Sequence, residues 1–491
     1  MPPIPPYVLA LDVGSTSIRA RLYDTHAQLI EGVGHEIRRR ASTDGLEDPE
    51  QLRKTCETVI SATLKEAGPA CSDIAAVGMA CFVGNVVGVD TEGNAVTPLY
   101  TYAHSGSGPE VEQIKQIVDV DATHEATGAP LHTSYQAPRL LWIKNHRPEE
   151  FARAARWDDF GAYLYHHWFD TSEVPSGFSV ASWSGMLNRK SLGWHQPLID
   201  AIGLDAATLP PLADYSESLQ GLAEPYRSDW WPLADVPFFL AVGDGAGANI
   251  GSGRCTQGTA VLTVGTTGAM RAVVRMDDSP IPQGLWAYRI DRELSLLGGA
   301  VTDGGSMLDW LHQTLRLTGE RIMDVELETV EPDGHGLTVL PFLRGERSPG
   351  WASDTSATWH GINASTTSAD IARATIEAIT YRFALIARLL DRSGTDFTEI
   401  IAGGAAILRL PTWLQMVADA TGKTVVASPE RGTTARGIAV LALNALGLMD
   451  SLDVAPATGE RVEYRPDADA HDTYRLAMER QQDLYTRLIG T

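Results

Sequence analysis

The stretch Val8–Asp24, VLALDVGSTSIRARLYD, limits the fold more than any other part of the chain. Val8, Leu9, Ala10 and Leu11 form a continuous apolar run, the pattern of a strand covered on both faces. Asp12 follows, then the small-residue turn Gly14-Ser15-Thr16-Ser17. Ile18–Asp24 alternates apolar residues with Arg19, Arg21 and Tyr23, as a second strand would. The pattern predicts a hairpin with a carboxylate and a Gly/Ser/Thr turn at its tip. Such a turn lets backbone N–H groups approach a phosphate closely and adds hydroxyl donors. Asp12 at that tip suits Mg2+ held through water, since hard cations prefer oxygen ligands. On these residues alone an ordinary hairpin remains open, and a Walker loop is excluded because no GxxxxGK[ST] follows.

The same unit recurs. Ala260–Met270, AVLTVGTTGAM, is a strand running into Gly265-Thr266-Thr267-Gly268, and Ile400–Ala402 runs into Gly403-Gly404. Leu294–Val301 is likewise apolar and is followed by Thr302-Asp303-Gly304-Gly305. The first two turns lie about half a chain apart, which predicts two similar halves with a cleft between them. With 491 residues the chain exceeds one typical core. No long Gly/Pro/Ser linker separates the halves. The boundary is therefore expected at a short hinge near residues 245–260, giving domains of 1–248 and 249–491.

Between the turns, Asp48–Ala67, Phe151–Trp168, Ala369–Asp391, Trp413–Thr421, Thr434–Leu446 and Asp472–Leu488 have helical character. Ile74–Asp90 reads as strand, turn, strand, and Val236–Val242 as a buried strand ending in Gly243-Asp244-Gly245. A carboxylate at a strand's C-terminal end can take a proton from an attacking hydroxyl. Gly-Asp-Gly is equally good turn chemistry, and both readings stand. Gly265–Gly268 paired with Gly14–Ser17 makes a two-loop clamp for a polyphosphate, with Gly403-Gly404 as a further surface for a nucleoside; taken singly, each is a plain turn. His166 and His167 beside Trp168 read as structural.

A net charge of −23 argues against nucleic acid or an anionic membrane as partner. No run of apolar residues is long enough to span a bilayer. Cys56, Cys71, Cys81 and Cys255 lack metal-ligand spacing and read as reduced thiols, which predicts a cytoplasmic setting.

Together these features resemble the FGGY family of carbohydrate kinases, within the actin-like ATPase superfamily. The most specific segment is ATWHGINASTTSADIARATIE, where Ala357, Trp359, Gly361, Ile362, Asp370, Ile371, Ala374, Thr375, Ile376 and Glu377 fit the family's second signature. Leu343–Trp351 resembles its GERxPxW segment. Ser134–His146 resembles the first signature at Trp142, Ile143 and Asn145, with Arg139 where lysine is usual and Gln136 where Pro, Ser or Thr is usual. The resemblance implies two actin-like (ribonuclease H-like) α/β domains, ATP and Mg2+ as cofactors, and transfer of phosphate to a carbohydrate hydroxyl. It implies Asp12 at the metal, Gly14, Ser15, Thr16, Ser17, Gly265, Thr266, Thr267 and Gly268 at the phosphates, and Gly403 and Gly404 at adenosine. It implies Asp244 as general base, with Gly245 beside it. Gly84, Asn85, His104 and His132 fall where the sugar is contacted. A homodimer is compatible with it.

Among subfamilies the chain is most similar to gluconate kinases, through Thr127–His132 (TGAPLH) and Ala181–Asn188 (ASWSGMLN). Gluconate is the first expectation for substrate. Xylulose, another ketopentose or a polyol is the alternative, and a degenerate nucleotide- and sugar-binding sensor the alternative of another class. Three departures bear on substrate and nucleotide: Phe82-Val83-Gly84-Asn85 where a Met-His or Gln-type pair is usual, Tyr102–Gly106 in place of WxDxR, and Ile407-Leu408-Arg409 after the Gly-Gly turn.

Overall fold

The computed structural model describes residues 4–40, 42–171, 173–253, 258–275, 280–315, 324, 327–428, 432–453 and 461–490. Cys255 and residues 254–257 of the expected hinge lie outside them. The N-terminal hairpin forms as its pattern predicts: Tyr7–Val13 pairs antiparallel with Ser17–Tyr23, from Val8 opposite Tyr23 to Val13 opposite Ile18. Leu9, Leu11 and Val13 pack toward Leu52, Val59 and Ile60 of the Pro49–Ala67 helix. Val8 and Ala10 face the other way, toward Ile438, Ala439 and Ala442. Both faces are dry, so the strand is apolar throughout instead of alternating. Each such buried aliphatic side chain contributes about 1.5–3 kcal/mol.

Each half is built on a seven-stranded sheet. In the first, Tyr7–Val13 pairs antiparallel with Ser17–Tyr23, which pairs antiparallel with Leu29–Arg38, while Ile74–Cys81 lies parallel on the other side. The second repeats this order. Thr259–Val264 is antiparallel to Gly268–Arg275, that strand to Leu294–Val301, and Glu399–Gly403 runs parallel to Thr259–Val264. The long Ser368–Arg392 helix packs on the second sheet, its start fixed by a reciprocal capping box between Thr367 and Asp370.

Two expected elements divide. Phe151–Trp168 is not one helix: a helix ends at Arg153, Arg156–Asp158 pairs with Val87–Val89, and a new helix Phe160–Trp168 starts at Asp159. The cause is Asp159, whose carboxylate caps the N–H of Ala162 at 3.0 Å. Val236–Val242 is interrupted as well. Phe238–Phe239 and Val242–Gly243 both run parallel to Ile74–Cys81, and between them Leu240 donates its N–H to Glu217 O at 3.1 Å.

The Thr433–Ala445 helix belongs by sequence to the second half, yet it lies across the first sheet, where a Cβ on Gly78 would stand 2.7 Å from Ile438 Cγ2. It also crosses the Asp244–Gly251 helix with backbones touching. A Cβ on Gly251 would fall 1.8 Å from Thr433 O, and one on Gly437 1.9 Å from Gly247 O. Only glycine permits this approach. Arg436, 1% exposed, ties the crossing by donating to Gly251 O at 2.9 Å.

Candidate active site

Asp244 is the first residue of the Asp244–Gly251 helix and not a loop residue, as the Gly-Asp-Gly pattern alone had suggested. The first turn of a helix carries partial positive charge and favours an anion there. Asp244 Oδ1 accepts the Gly245 N–H at 2.8 Å. Burial raises its pKa above the ordinary carboxylate range, against the opposing charge of Arg271 and the Gly245 N–H. Asp12, at the hairpin tip and 5% exposed, is close enough for the two carboxylates to feel one another. Burial pushes Asp12 up to about 7; Arg19, 3.3 Å away, opposes this and Asp244 adds to it. Two neighbouring buried carboxylates fit a hard divalent cation, which would relieve their repulsion.

Arg271 connects this pair to the second half. It sits three residues beyond Gly268 on the Gly268–Arg275 strand, and its Nε lies 3.6 Å from the position a Cβ on Gly245 would take. Asp12, Asp244 and Arg271 therefore lead from the tip of one hairpin to the strand that leaves the tip of the other.

In the first turn, Gly14 N–H donates to Ser17 O at 2.9 Å, and Arg39 holds the outer carbonyls, its Nη1 on Ser15 O at 2.5 Å and its N–H on Thr16 O at 2.9 Å. Ser17 Oγ already accepts from Arg19 Nη2 at 2.8 Å, whereas Thr16 is exposed at the tip. In the second turn, Gly265 N–H donates to Thr267 O at 2.9 Å, and nothing lies within 4 Å of where a Gly265 Cβ would be. Gly404 adopts φ +96, and its Cβ would stand 2.4 Å from Val264 O, so the Gly403-Gly404 turn presses against the strand that leads into Gly265.

A fourth turn is bonded to the second. Gly305 N–H donates to Gly265 O at 2.7 Å, Gly304 N–H to Thr266 O at 3.1 Å, and Asp303 accepts from Arg344 N and Nε at 3.1 and 3.0 Å. Asp303–Gly305 carries the same strand-then-small-residue signal as the other turns. That signal alone could have placed it in the site.

The residues expected to contact sugar separate into two groups. Gly84 (φ +69) and His132 remain on a shared wall. Gly84 lies 3.2 Å, through its virtual Cβ, from Tyr102 and 3.3 Å from Ser134 O. His132 faces Trp351 with ring centroids 5.3 Å apart, its Nδ1 on Ser134 Oγ at 2.9 Å. Burial, then the charge of Arg347, lowers its pKa to about 4, so the imidazole is neutral at pH 7. Asn85 goes elsewhere: it is 1% exposed, its Oδ1 accepting from Phe160 N at 2.8 Å and its amide donating to Phe82 O. That side chain serves the fold. His104 packs edge-on to Trp142 and Tyr100, at 4.6 and 5.4 Å between centroids.

An aromatic group adjoins the wall of Gly84 and His132, since Trp351 also neighbours Tyr135 at 6.4 Å between ring centroids. Trp183 stacks on Tyr288 at 4.0 Å, and Tyr288 and Tyr135, from different halves, share a hydroxyl hydrogen bond of 2.5 Å. Trp183 Nε1 lies 2.8 Å from where a Gly243 Cβ would be, directly beside Asp244. Neither Trp183 nor Tyr288 was singled out from sequence, because an aromatic residue in an apolar segment looks like core. The halves are joined here by backbone contacts too: Ala287 N–H donates to Gly128 O at 2.8 Å and Arg289 N–H to Ser182 Oγ at 2.9 Å. Among the described residues no helix is long and apolar enough to cross a membrane.

The chain is similar to known proteins over nearly its whole length. Gluconokinase from Bacillus subtilis (strain 168) is 25% identical over 487 residues, covering 96% of this chain and 94% of that protein. Gluconate kinase from Lactobacillus acidophilus shares the fold at a TM-score of 0.90 with 24% identity, covering 98% of each chain. A ligand-bound xylulose kinase from the same organism does so at 0.90 with 23% identity, covering 99% of each. The N-terminal domain model of the FGGY carbohydrate kinases matches residues 7–251 and the C-terminal domain model residues 260–446. Two matched domain models, covering residues 7–251 and 260–446, and the repeated actin-like sheet establish that the chain belongs to the FGGY family of carbohydrate kinases.

Proposed function

We propose that this kinase transfers the γ-phosphate of ATP to a hydroxyl of a sugar acid, with gluconate the first substrate to test. The observation that carries the reaction is Asp244, a buried carboxylate at a helix start, near the acid that precedes the first turn. Support for a sugar acid over a neutral sugar comes from the gluconokinase relative and from Arg271 in the same recess.

In this reading Asp244 accepts the proton of the attacking hydroxyl. Burial raises its pKa and makes it a better base than a solvated aspartate, while the helix start and Arg271 favour its ionised form. Trp183 and Tyr288 hold the carbon chain and exclude water. The Gly14–Ser17 and Gly265–Gly268 turns, with Thr16 exposed at the tip of the first, orient the phosphates, and the Gly403-Gly404 turn seats the nucleoside. A Mg2+ ion at Asp12 would supply charge neutralisation at the transferring phosphoryl group. We place the reaction in the cytoplasm, where the buried Cys56, Cys71 and Cys81 stay reduced.

The test is coupled ADP release with Mg-ATP across a panel of aldonates, ketopentoses and polyols, with Asp244→Asn as the blank. A strong aldonate signal lost in the variant supports the reading. Turnover confined to xylulose or a polyol replaces the substrate, and ATP binding with no turnover on any of them replaces the reaction by a sensor role.

A further inference from the structure

We propose that Arg271 and Arg347 form a seat for the carboxylate of the substrate and so set the choice between a sugar acid and its neutral counterpart. This rests on the sugar-acid reading above and names the residues that enforce it.

The first observation is that both guanidiniums lack partners. Arg271 Nε and Nη1 and Arg347 Nε are buried without a hydrogen bond, and neither side chain forms an ion pair among the described residues. An unpaired buried donor loses its hydration with nothing in return, so each such group calls for an explanation. Arg139 Nε and Arg382 Nε and Nη1 are unpaired as well, but each of those guanidiniums is anchored through another nitrogen, Arg139 on Gly84 O and Ser134 O and Arg382 on Glu346.

The second observation is where they lie. Arg271 borders Asp244 and Trp183, and Arg347 is near enough to act electrostatically on Arg271, Tyr135, Tyr288 and His132. Arg347 is also held beside the aromatic group by a tight turn, in which Trp351, at φ +55, donates its N–H to Arg347 O at 2.6 Å. A left-handed tryptophan is strained, and strain of this kind collects at ligand sites.

The third observation is the charge balance. Arg271 and Arg347 are two cations without an ion pair among the described residues, whereas the nearby acids Asp303 and Glu346 are taken by Arg344 and Arg382. A carboxylate ligand is the group that two such cations recruit. Guanidinium is the side chain best shaped to hold a carboxylate by two parallel hydrogen bonds.

The experiment compares gluconate with glucitol, which has the same carbon chain but a hydroxymethyl group in place of the carboxylate. Steady-state kinetics are measured on the wild type, Arg347→Gln, Arg347→Lys and Arg271→Gln. The wild type is expected to favour gluconate. In Arg347→Gln the ratio of kcat/KM for gluconate to that for glucitol should fall about 10- to 100-fold, mainly through KM, the loss typical of one charge-assisted hydrogen bond. Arg347→Lys should recover part of that ratio, because it restores charge without the fork. Arg271→Gln should lower the ratio too and move the acidic limb of the pH–rate profile upward, since Asp244 loses its neighbouring cation. Calorimetric titration of gluconate into each variant gives the same ranking without turnover.

Equal losses on both substrates in Arg347→Gln and Arg271→Gln would overturn the seat while leaving the sugar-acid reading intact. A wild type that ignores gluconate would overturn the sugar-acid reading itself, and the seat with it.

Discussion

Replacing Gly437 by alanine should disable the enzyme from a position that touches no substrate. The Gly437 Cβ would sit 1.9 Å from Gly247 O, and ordinary contact begins near 3.4 Å. The crossing helices must therefore part by about 1.5 Å, the difference between those two distances. Overpacking of this kind costs about 1–3 kcal/mol. For a domain of this size that is a fall in Tm of about 2–10 °C. The larger effect concerns Asp244, which heads the helix being displaced. A misplacement of about 1 Å at the chemistry can cost about 100-fold in rate. Gly247→Ala provides a graded control in the same crossing: its Cβ meets Thr434 O at 3.1 Å, a clash of only a few tenths of an ångström. It should stay within about fivefold of wild type, under 1 kcal/mol at 1.36 kcal/mol per decade. Differential scanning calorimetry and coupled ADP release measure both quantities on the same preparations. Gly437→Ala with a wild-type kcat/KM would refute the transmission from crossing to catalytic acid, and one with a wild-type Tm would refute the crossing geometry as well.

Asp244→Asn should lower kcat about 10²- to 10⁴-fold by removing a general base, yet leave Tm unchanged or higher, because a costly buried charge is gone; turnover near wild type sinks the assignment. Asp12 is raised to about 7 in the folded state from 3.8, so the native protein holds this proton more tightly than the unfolded chain does. Its contribution to stability is full below pH 4 and is lost as pH rises through 7. Ligand-free wild type should therefore lose stability against Asp12→Asn between pH 5 and pH 8 in thermal melts, and parallel curves would exclude the shift. Glu377 is fully buried and accepts from His335, Arg373, Tyr381 and Tyr474. Glu377→Ala strands the Arg373 charge and should cost about 3–5 kcal/mol, seen in calorimetry as a Tm drop on the order of 10 °C; an unchanged Tm contradicts the network.

The hairpin at Val8–Asp24 was legible because covering both faces of a strand leaves an unbroken apolar run, and the turn residues mark its end. The repeat was legible for the same reason at Thr259–Val264. The helix at Asp244 was not. Gly245, Gly247 and Gly251 each cost a helix about 1 kcal/mol relative to alanine, so local preference points to a turn. The close crossing with Thr433–Ala445 is what stabilises the helix, and it is a contact between residues far apart in sequence. Asn85 followed a glycine in a segment that resembled a sugar-contacting loop, and only the fold shows its amide turned to Phe160. Arg271 carried no signal of its own, because a lone arginine in a strand usually reaches solvent, and Arg347 stood in the GERxPxW-like segment with nothing there to say what it faces. Their missing partners are visible only in three dimensions.

The Thr433–Ala445 helix has a further consequence, for the order in which the chain is made. It covers one face of a sheet whose strands are Tyr7–Val13 and Ile74–Cys81, burying Ile438, Ala439 and Ala442 against Val8, Ala10, Ala76 and Ala80. On the ribosome that face stays bare until residue 445 has emerged. A nascent chain holding the whole first half would display an apolar surface for most of its synthesis, the condition that recruits chaperones and favours aggregation. The two halves look like separable modules in sequence, yet the first cannot finish folding before nearly all of the second has been translated. Cutting the chain at the domain boundary would therefore yield a first fragment with an uncovered sheet and a second with an uncovered helix.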